Sequence, residues 1–132
     1  MYITEKPIDL NILLLGAGSS GTGALVIFTG QTRNIHNGKG VSYLEYEAQK
    51  SMAEKSIEEI LDSAKRKWNL TYASALHRIG RVDIGEASVV VITSSAHRNE
   101  AYEANRFIID TMKAQTPVWK KEYYTDGSNT WK

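Results

Sequence analysis

A chain of 132 residues, 42% of them hydrophobic, is long enough for one core and short for two, so residues 1–132 are expected to form a single domain. Sixteen basic against fifteen acidic residues leave a formal charge of +1. That excludes the global field that drives nonspecific binding to nucleic acid or membranes, and any basic site must be local. The absence of cysteine excludes disulfides, thiolate metal sites and a thiol nucleophile of the chain's own, so sulfur chemistry would need a second molecule to bring the sulfur.

The apolar runs Ile12 to Leu15 and Val89 to Ile92 are far too short to span a membrane, and the opening MYITEKPIDL lacks a signal-peptide pattern. A soluble, cytoplasmic protein is expected. Met1 to Thr4 can open a short strand, and Ile8 to Leu15 reads as a short helix or a buried strand, a choice that periodicity does not settle over so few residues. Gly16-Ala17-Gly18-Ser19-Ser20-Gly21 matches the spacing of the dinucleotide-binding fingerprint, which needs a helix opening at its third glycine. The residues that follow, Gly23 to Gly30, are β-rich and helix-poor, so the run reads as a flexible connection before a buried strand; a nucleotide-binding module is the alternative.

Gly30 to Gly40 is a polar, glycine-rich loop too long for a tight hairpin, with Arg33 just past the strand end and His36 in its freer, surface part. Val41 to Glu47 reads as a strand pairing with the one before the loop. From Ala48 to Trp68 an apolar stripe (Ala53, Ile57, Ile60, Leu61, Ala64 and Trp68) recurs at three- and four-residue steps, predicting an amphipathic helix with Lys65, Arg66 and Lys67 in its last turn and a stop at Asn69. Thr71 to Ile79 and Ala87 to Thr93 are two further strands, the second apolar enough to be central. His77 and Arg78 lie within the first of them and read as structural.

Ser94 to Lys121 carries the densest chemistry. Ala101, Ala104, Ile108 and Met112 mark a second helix that Pro117 ends, followed by a strand, Val118 to Tyr124, and a turn at Asp126-Gly127. His97 and Arg98 fall at the helix start, where unpaired N–H groups and the positive end of the dipole favour an anion. Lys113 falls in its last turns, while Lys120 and Lys121 face opposite ways on the strand. Cations gathered at element ends point to a phosphorylated small molecule. A helix from 98 to 113 nevertheless separates Arg98 from Lys113 by roughly 22 Å at a rise of about 1.5 Å per residue. One small ligand reaches both only if the start of the helix in one subunit approaches its end in another, which predicts a two-fold homodimer with composite sites.

Four motifs in order, Phe28-Thr29-Gly30-Gln31-Thr32-Arg33-Asn34, His77-Arg78-Ile79-Gly80, Thr93-Ser94-Ser95-Ala96-His97-Arg98, and Lys113 with Thr116-Pro117-Val118-Trp119-Lys120-Lys121-Glu122, resemble the catalytic subunit family of molybdopterin synthase. The resemblance runs from about Gly23 to Trp131. It implies an α/β (α+β) fold of the hammerhead type, with a mixed or antiparallel sheet and two main amphipathic helices. It further implies a homodimer within a heterotetramer, whose small β-grasp, ubiquitin-like subunit carries sulfur as a C-terminal thiocarboxylate. The implied reaction is transfer of that sulfur to cyclic pyranopterin monophosphate (precursor Z), giving the dithiolene molybdopterin without cofactor or metal. Carried over by motif position, Lys113 and Lys120 are the catalytic residues, and Gln31, Thr32, Arg33, His97, Arg98, Lys121 and Glu122 bind or flank the substrate.

Overall fold

In the computed structural model, which describes residues 1–132, the chain runs β1 (Ile3–Thr4), α1 (Leu10–Leu13), β2 (Ala24–Gln31), β3 (Ile35–His36), β4 (Lys39–Ala48), α2 (Lys50–Trp68), β5 (Tyr72–Arg78), β6 (Gly80–Asp83), β7 (Ala87–Ser95), α3 (Arg98–Gln115), β8 (Val118–Tyr124) and β9 (Asn129–Trp131). The strands form two sheets. One has the order β1-β5-β7-β2, antiparallel except for the β1–β5 pair; the other has the order β3-β4-β8-β9, with β6 also paired to β4.

The first sheet is built on β7, where every residue from Ser88 to Ser95 is buried. Side chains alternate along a strand, so its two faces meet different cover. Val89 and Val91 join the main core with Ala53, Ile57, Leu61, Ile108 and Met112 of α2 and α3. Val90 and Ile92 face the N-terminal segment, packing with Ala17, Leu10, Leu13 and Leu14. Cover on both faces explains why β7 reads as a continuous apolar run. Of the stripe predicted for α2, Ala53, Ile57, Ile60, Leu61 and Ala64 are buried and Trp68 packs partly buried against the core, and Asn69 ends that helix in the left-handed region at φ 50°, with its N–H bonded to the Lys65 carbonyl.

Polar side chains fasten α3 onto the sheet. Thr93 Oγ1 donates to the Ala101 carbonyl at 2.7 Å. Asn105 Nδ2 lies 3.1 Å from the Val91 carbonyl and 3.3 Å from that of Val26, tying the helix to β7 and β2 together. Ala101 and Ala104, both fully buried, keep the helix close enough for these contacts.

One open alternative resolves toward the helix, and two expectations change. The segment Ile8 to Leu15 folds as the single helical turn α1, capped by Asp9, whose Oδ1 accepts from Asn11 N at 3.0 Å. The loop from Gly30 to Gly40 does contain a tight hairpin: Ile35 pairs with Gly40 and His36 with Lys39 around Asn37 and Gly38, both at positive φ. Finally, β4 does not pair with β2, because β2 lies against β7 while β4 lies between β8 and β6. The chain crosses between sheets at Gly80, whose φ of +85° lets β5 hand over to β6 within one residue of Ile79. No helix opens at Gly21, so the glycine run lacks what a dinucleotide site needs, and Ala17 instead lies buried against β7.

Asn105→Ala removes a buried donor that spans two strands. It is expected to lower the free energy of unfolding by about 2 kcal/mol, read as a lower urea midpoint at unchanged slope.

Candidate active site

Two cavities meet at the lysines. The front one, about 210 Å³, is lined by Gln31, Arg33, His36, Glu122, Lys113 and Lys120 among others. The rear one, about 140 Å³, is lined by His77, Ile109, Met112, Thr116 and Val118 together with the same two lysines. Tyr46, Ser88 and Val89 also border both.

Local structure explains how each side chain arrives there. The β2–β7 register slips between Gly30 and Gln31. Backbone bonds from Thr32 N to the Glu86 carbonyl (3.1 Å) and from Gly85 N to the Thr32 carbonyl (2.9 Å) then pin the chain beyond it, so Arg33 leaves a fixed point. Lys113 occupies the last turn of α3, where a cation complements the dipole. Thr116 is extended and Pro117 cannot continue the helix, so β8 begins at once and returns Lys120 to the same cavity. Glu122 follows two residues later on the same face.

The electrostatics centre on Glu122, which is only 2% exposed. Its Oε1 accepts from the Tyr124 hydroxyl at 2.8 Å and lies 3.6 Å from Lys132 Nζ, while Oε2 lies 3.8 Å from His36 Nδ1. Burial alone would raise its pKa. The Tyr124 hydrogen bond and the cations of His36, Lys120 and Lys132 outweigh burial and hold the carboxyl below its ordinary value. For Lys120 burial lowers the pKa; Glu122 opposes this, and Lys113, Lys132 and Arg33 push it further down. At a given pH more of the Lys120 amine is therefore neutral than for a solvated lysine.

His97 and Arg98 lie elsewhere. With Gly23, Ala96 and Asn99 they border a separate open cavity of about 420 Å³ that shares no residue with the other two. A Cβ at position 23 would sit 2.1 Å from the Ala96 carbonyl oxygen, so only glycine lets β2 start this close to the turn that feeds α3. Within one chain the structure brings together Gln31, Arg33, Lys113, Lys120 and Glu122 and leaves the His97-Arg98 pair at the far end of the helix. Two other expected residues stand apart. Lys121 is carried by strand alternation to the outer face of β8, over the rings of Tyr123 and Trp131 at 5.1 and 5.4 Å. Thr32 is buried and its hydroxyl has no partner; its contribution is the backbone pairing that fixes the position of Arg33.

Two residues left out of the expected site, one read as surface and one as structural, are brought in. His36 reaches Glu122 because the hairpin folds over the cavity, and nothing in a polar loop announces such a fold. His77 does leave a signal: it continues the alternation of the buried Ala73 and Ala75 on β5 and so points inward.

The protein is mixed α/β, and one cavity gathers cations from a loop, a helix end and a strand, an arrangement suited to an anion. The profile of the MoaE protein family matches residues 3–115. A molybdopterin synthase catalytic subunit of Thermoplasma volcanium is 45% identical over 129 residues, covering 98% of this chain and 94% of that protein. The crystal structure of molybdopterin synthase from Staphylococcus aureus superposes with a TM-score of 0.93 at 38% identity, covering 99% of this chain and 95% of the other. The same fold, at 22% identity and a TM-score of 0.80, occurs in a complex of subunits 1 and 2 of the molybdopterin-converting factor from Helicobacter pylori, with 98% and 88% covered. The chain belongs to the MoaE family of molybdopterin synthase catalytic subunits.

The Lys120 ammonium is expected to titrate below the usual 10.5 when followed by NMR of the labelled ε position. Glu122→Gln, which removes the charge favouring the protonated form, should move it further down. Between the lowered native value and the unfolded one the unfolded chain binds more protons, so the Lys120 contribution to stability rises with pH across that window.

Proposed function

We propose that this protein is the catalytic subunit of a cytoplasmic molybdopterin synthase. It moves sulfur from the C-terminal thiocarboxylate of a small ubiquitin-like subunit to cyclic pyranopterin monophosphate and forms the dithiolene of molybdopterin. The observation that carries the reading is the meeting of Lys113, Lys120 and Arg33 at one cavity in a chain of this family.

The chemistry suits these residues. Adding sulfur to the side chain of the pterin opens the cyclic phosphate, so the site must hold an anion, stabilise developing charge and supply a proton to the leaving oxygen. Lys113 is assigned to the carbonyl of the incoming thiocarboxylate: once its sulfur has bonded to the pterin carbon, water attacks the acyl carbon, the N–H groups of Lys113 stabilise the oxyanion, and the acyl–sulfur bond breaks to release the carrier as its carboxylate and leave the sulfur on the pterin. Lys120, with its lowered pKa, is assigned to proton transfer at the leaving oxygen. Arg33 is assigned to the phosphate, where a planar guanidinium can bind two oxygens at once.

The distance along α3 gives His97 and Arg98 to the pocket of a second subunit. A groove of about 450 Å³ runs between edge strand β2 and α3, bordered by Ile27, Phe28, Tyr102 and Arg106 and reaching Lys113, with Ile27 and Tyr102 exposed. Two copies meeting along this groove with α3 antiparallel would bring unlike helix ends together. The small subunit then completes each half of a heterotetramer.

Lys113→Ala and Lys120→Ala should each lower turnover by about two orders of magnitude or more while the dimer persists, measured with a thiocarboxylated small subunit and precursor Z. Composite sites give a sharper test. Arg98→Ala and Lys113→Ala homodimers, nearly inactive alone, should regain activity after subunit exchange, because each hybrid contains one site free of both substitutions. Absence of recovery after demonstrated exchange would place both residues in one subunit's site.

A further inference from the structure

We propose that His77 is a positioning residue for the lysine pair: its Nε2 lone pair accepts, through one water in the rear cavity, a hydrogen bond from the Lys113 ammonium group, and so fixes where Lys113 points its other N–H bonds.

The ring geometry dictates the tautomer. His77 Nδ1 lies 2.8 Å from the carbonyl oxygen of Arg78, and a carbonyl only accepts, so Nδ1 carries the proton. In the neutral ring Nε2 is then an acceptor, and no protein group donates to it. A histidine whose role is only to fill the core would have both nitrogens paired or its bare edge against carbon. Here Nε2 is not among the sealed, unpartnered polar atoms, and the residue borders a cavity of about 140 Å³ that both lysines line, with room for bridging water.

The ring itself is held still. Tyr46 meets it edge-on at a centroid distance of 5.0 Å, and its backbone N–H is bonded to the Tyr2 carbonyl at 2.8 Å. The titratable and charged groups around it are Lys113 from α3, Lys120 from β8 and Tyr46 from β4. Burial, and after it the Lys113 charge, disfavour a protonated imidazole, although the Arg78 carbonyl favours one. A neutral acceptor behind Lys113 orients the ammonium without adding another cation to the cluster.

The inference rests on Lys113 acting in the reaction, so the test separates the two. With the reconstituted complex, His77→Phe keeps a flat ring but loses the acceptor, and His77→Gln keeps an acceptor. The expected result is a fall in kcat of about 10- to 100-fold for His77→Phe, with KM for the pterin within about twofold. The His77→Gln variant should recover most of the loss, and the pH profile of His77→Phe should be displaced from that of the wild type. Wild-type kcat in His77→Phe, or equal impairment of both variants, would overturn the inference. An inactive wild-type complex would instead sink the assigned reaction. Should His77→Phe fail to fold, ¹⁵N NMR of the imidazole decides: Nδ1 should appear protonated, and Lys113→Ala should shift the Nε2 resonance. An unmoved Nε2 resonance rejects the contact.

Discussion

The site depends on keeping several cations together in a half-buried space with one carboxylate among them. Arg33, Lys113 and Lys120 converge from a loop, a helix end and a strand, and only Glu122 lies on the cavity wall to balance them. Burying unpaired charge is costly, and Glu122 answers part of that cost by lying within 4 Å of His36 and Lys132 and accepting from Tyr124. Its depressed pKa is the counterpart of that arrangement. The rest of the fold serves to aim the cations: the pinned Thr32 backbone, the abrupt end of α3 at Thr116 and the immediate return of β8.

The length of α3 is the second constraint. Eighteen residues of continuous helix make a rigid spacer, and its packing on β7 through Thr93 and Asn105 holds that spacer in place. On the proposed reading, the cations at both ends of such a spacer belong to two half-sites, and closure comes from assembly along the exposed groove between the helix and the edge strand.

Much of this was legible from residue patterns. The stripes of α2 and α3 and the apolar run of β7 follow from burial on one face or on two, which are local consequences of period. Opposite facing of Lys120 and Lys121 followed from strand alternation, yet the motif resemblance still grouped them, and only the packing of Tyr123 and Trp131 shows that Lys121 belongs to the outer face. Sheet membership was not legible, because pairing of β4 with β8, 70 to 83 positions away, is decided by tertiary closure. His36 stayed hidden for the same reason: its value lies in what the hairpin folds over. His77 was hidden differently, since its alternation pointed inward and an inward histidine is ordinarily a satisfied one.

The lowered pKa of Lys120 has a consequence for the order of events. In the unliganded cavity its neighbours Lys113, Lys132 and Arg33 favour the neutral amine, and Glu122 alone opposes them among the charges that act on it. A bound phosphate brings negative charge beside the same amine and reverses the balance, since an opposite charge within a few ångströms favours the protonated form. On the proposed reading, substrate binding thus raises the protonated share of Lys120 where the opening phosphate ring needs a proton on its leaving oxygen. A lysine in bulk water would be protonated throughout and a poorer acid at neutral pH. Crowding cations around a half-buried amine therefore binds the anion and also couples the amine's protonation to the anion beside it.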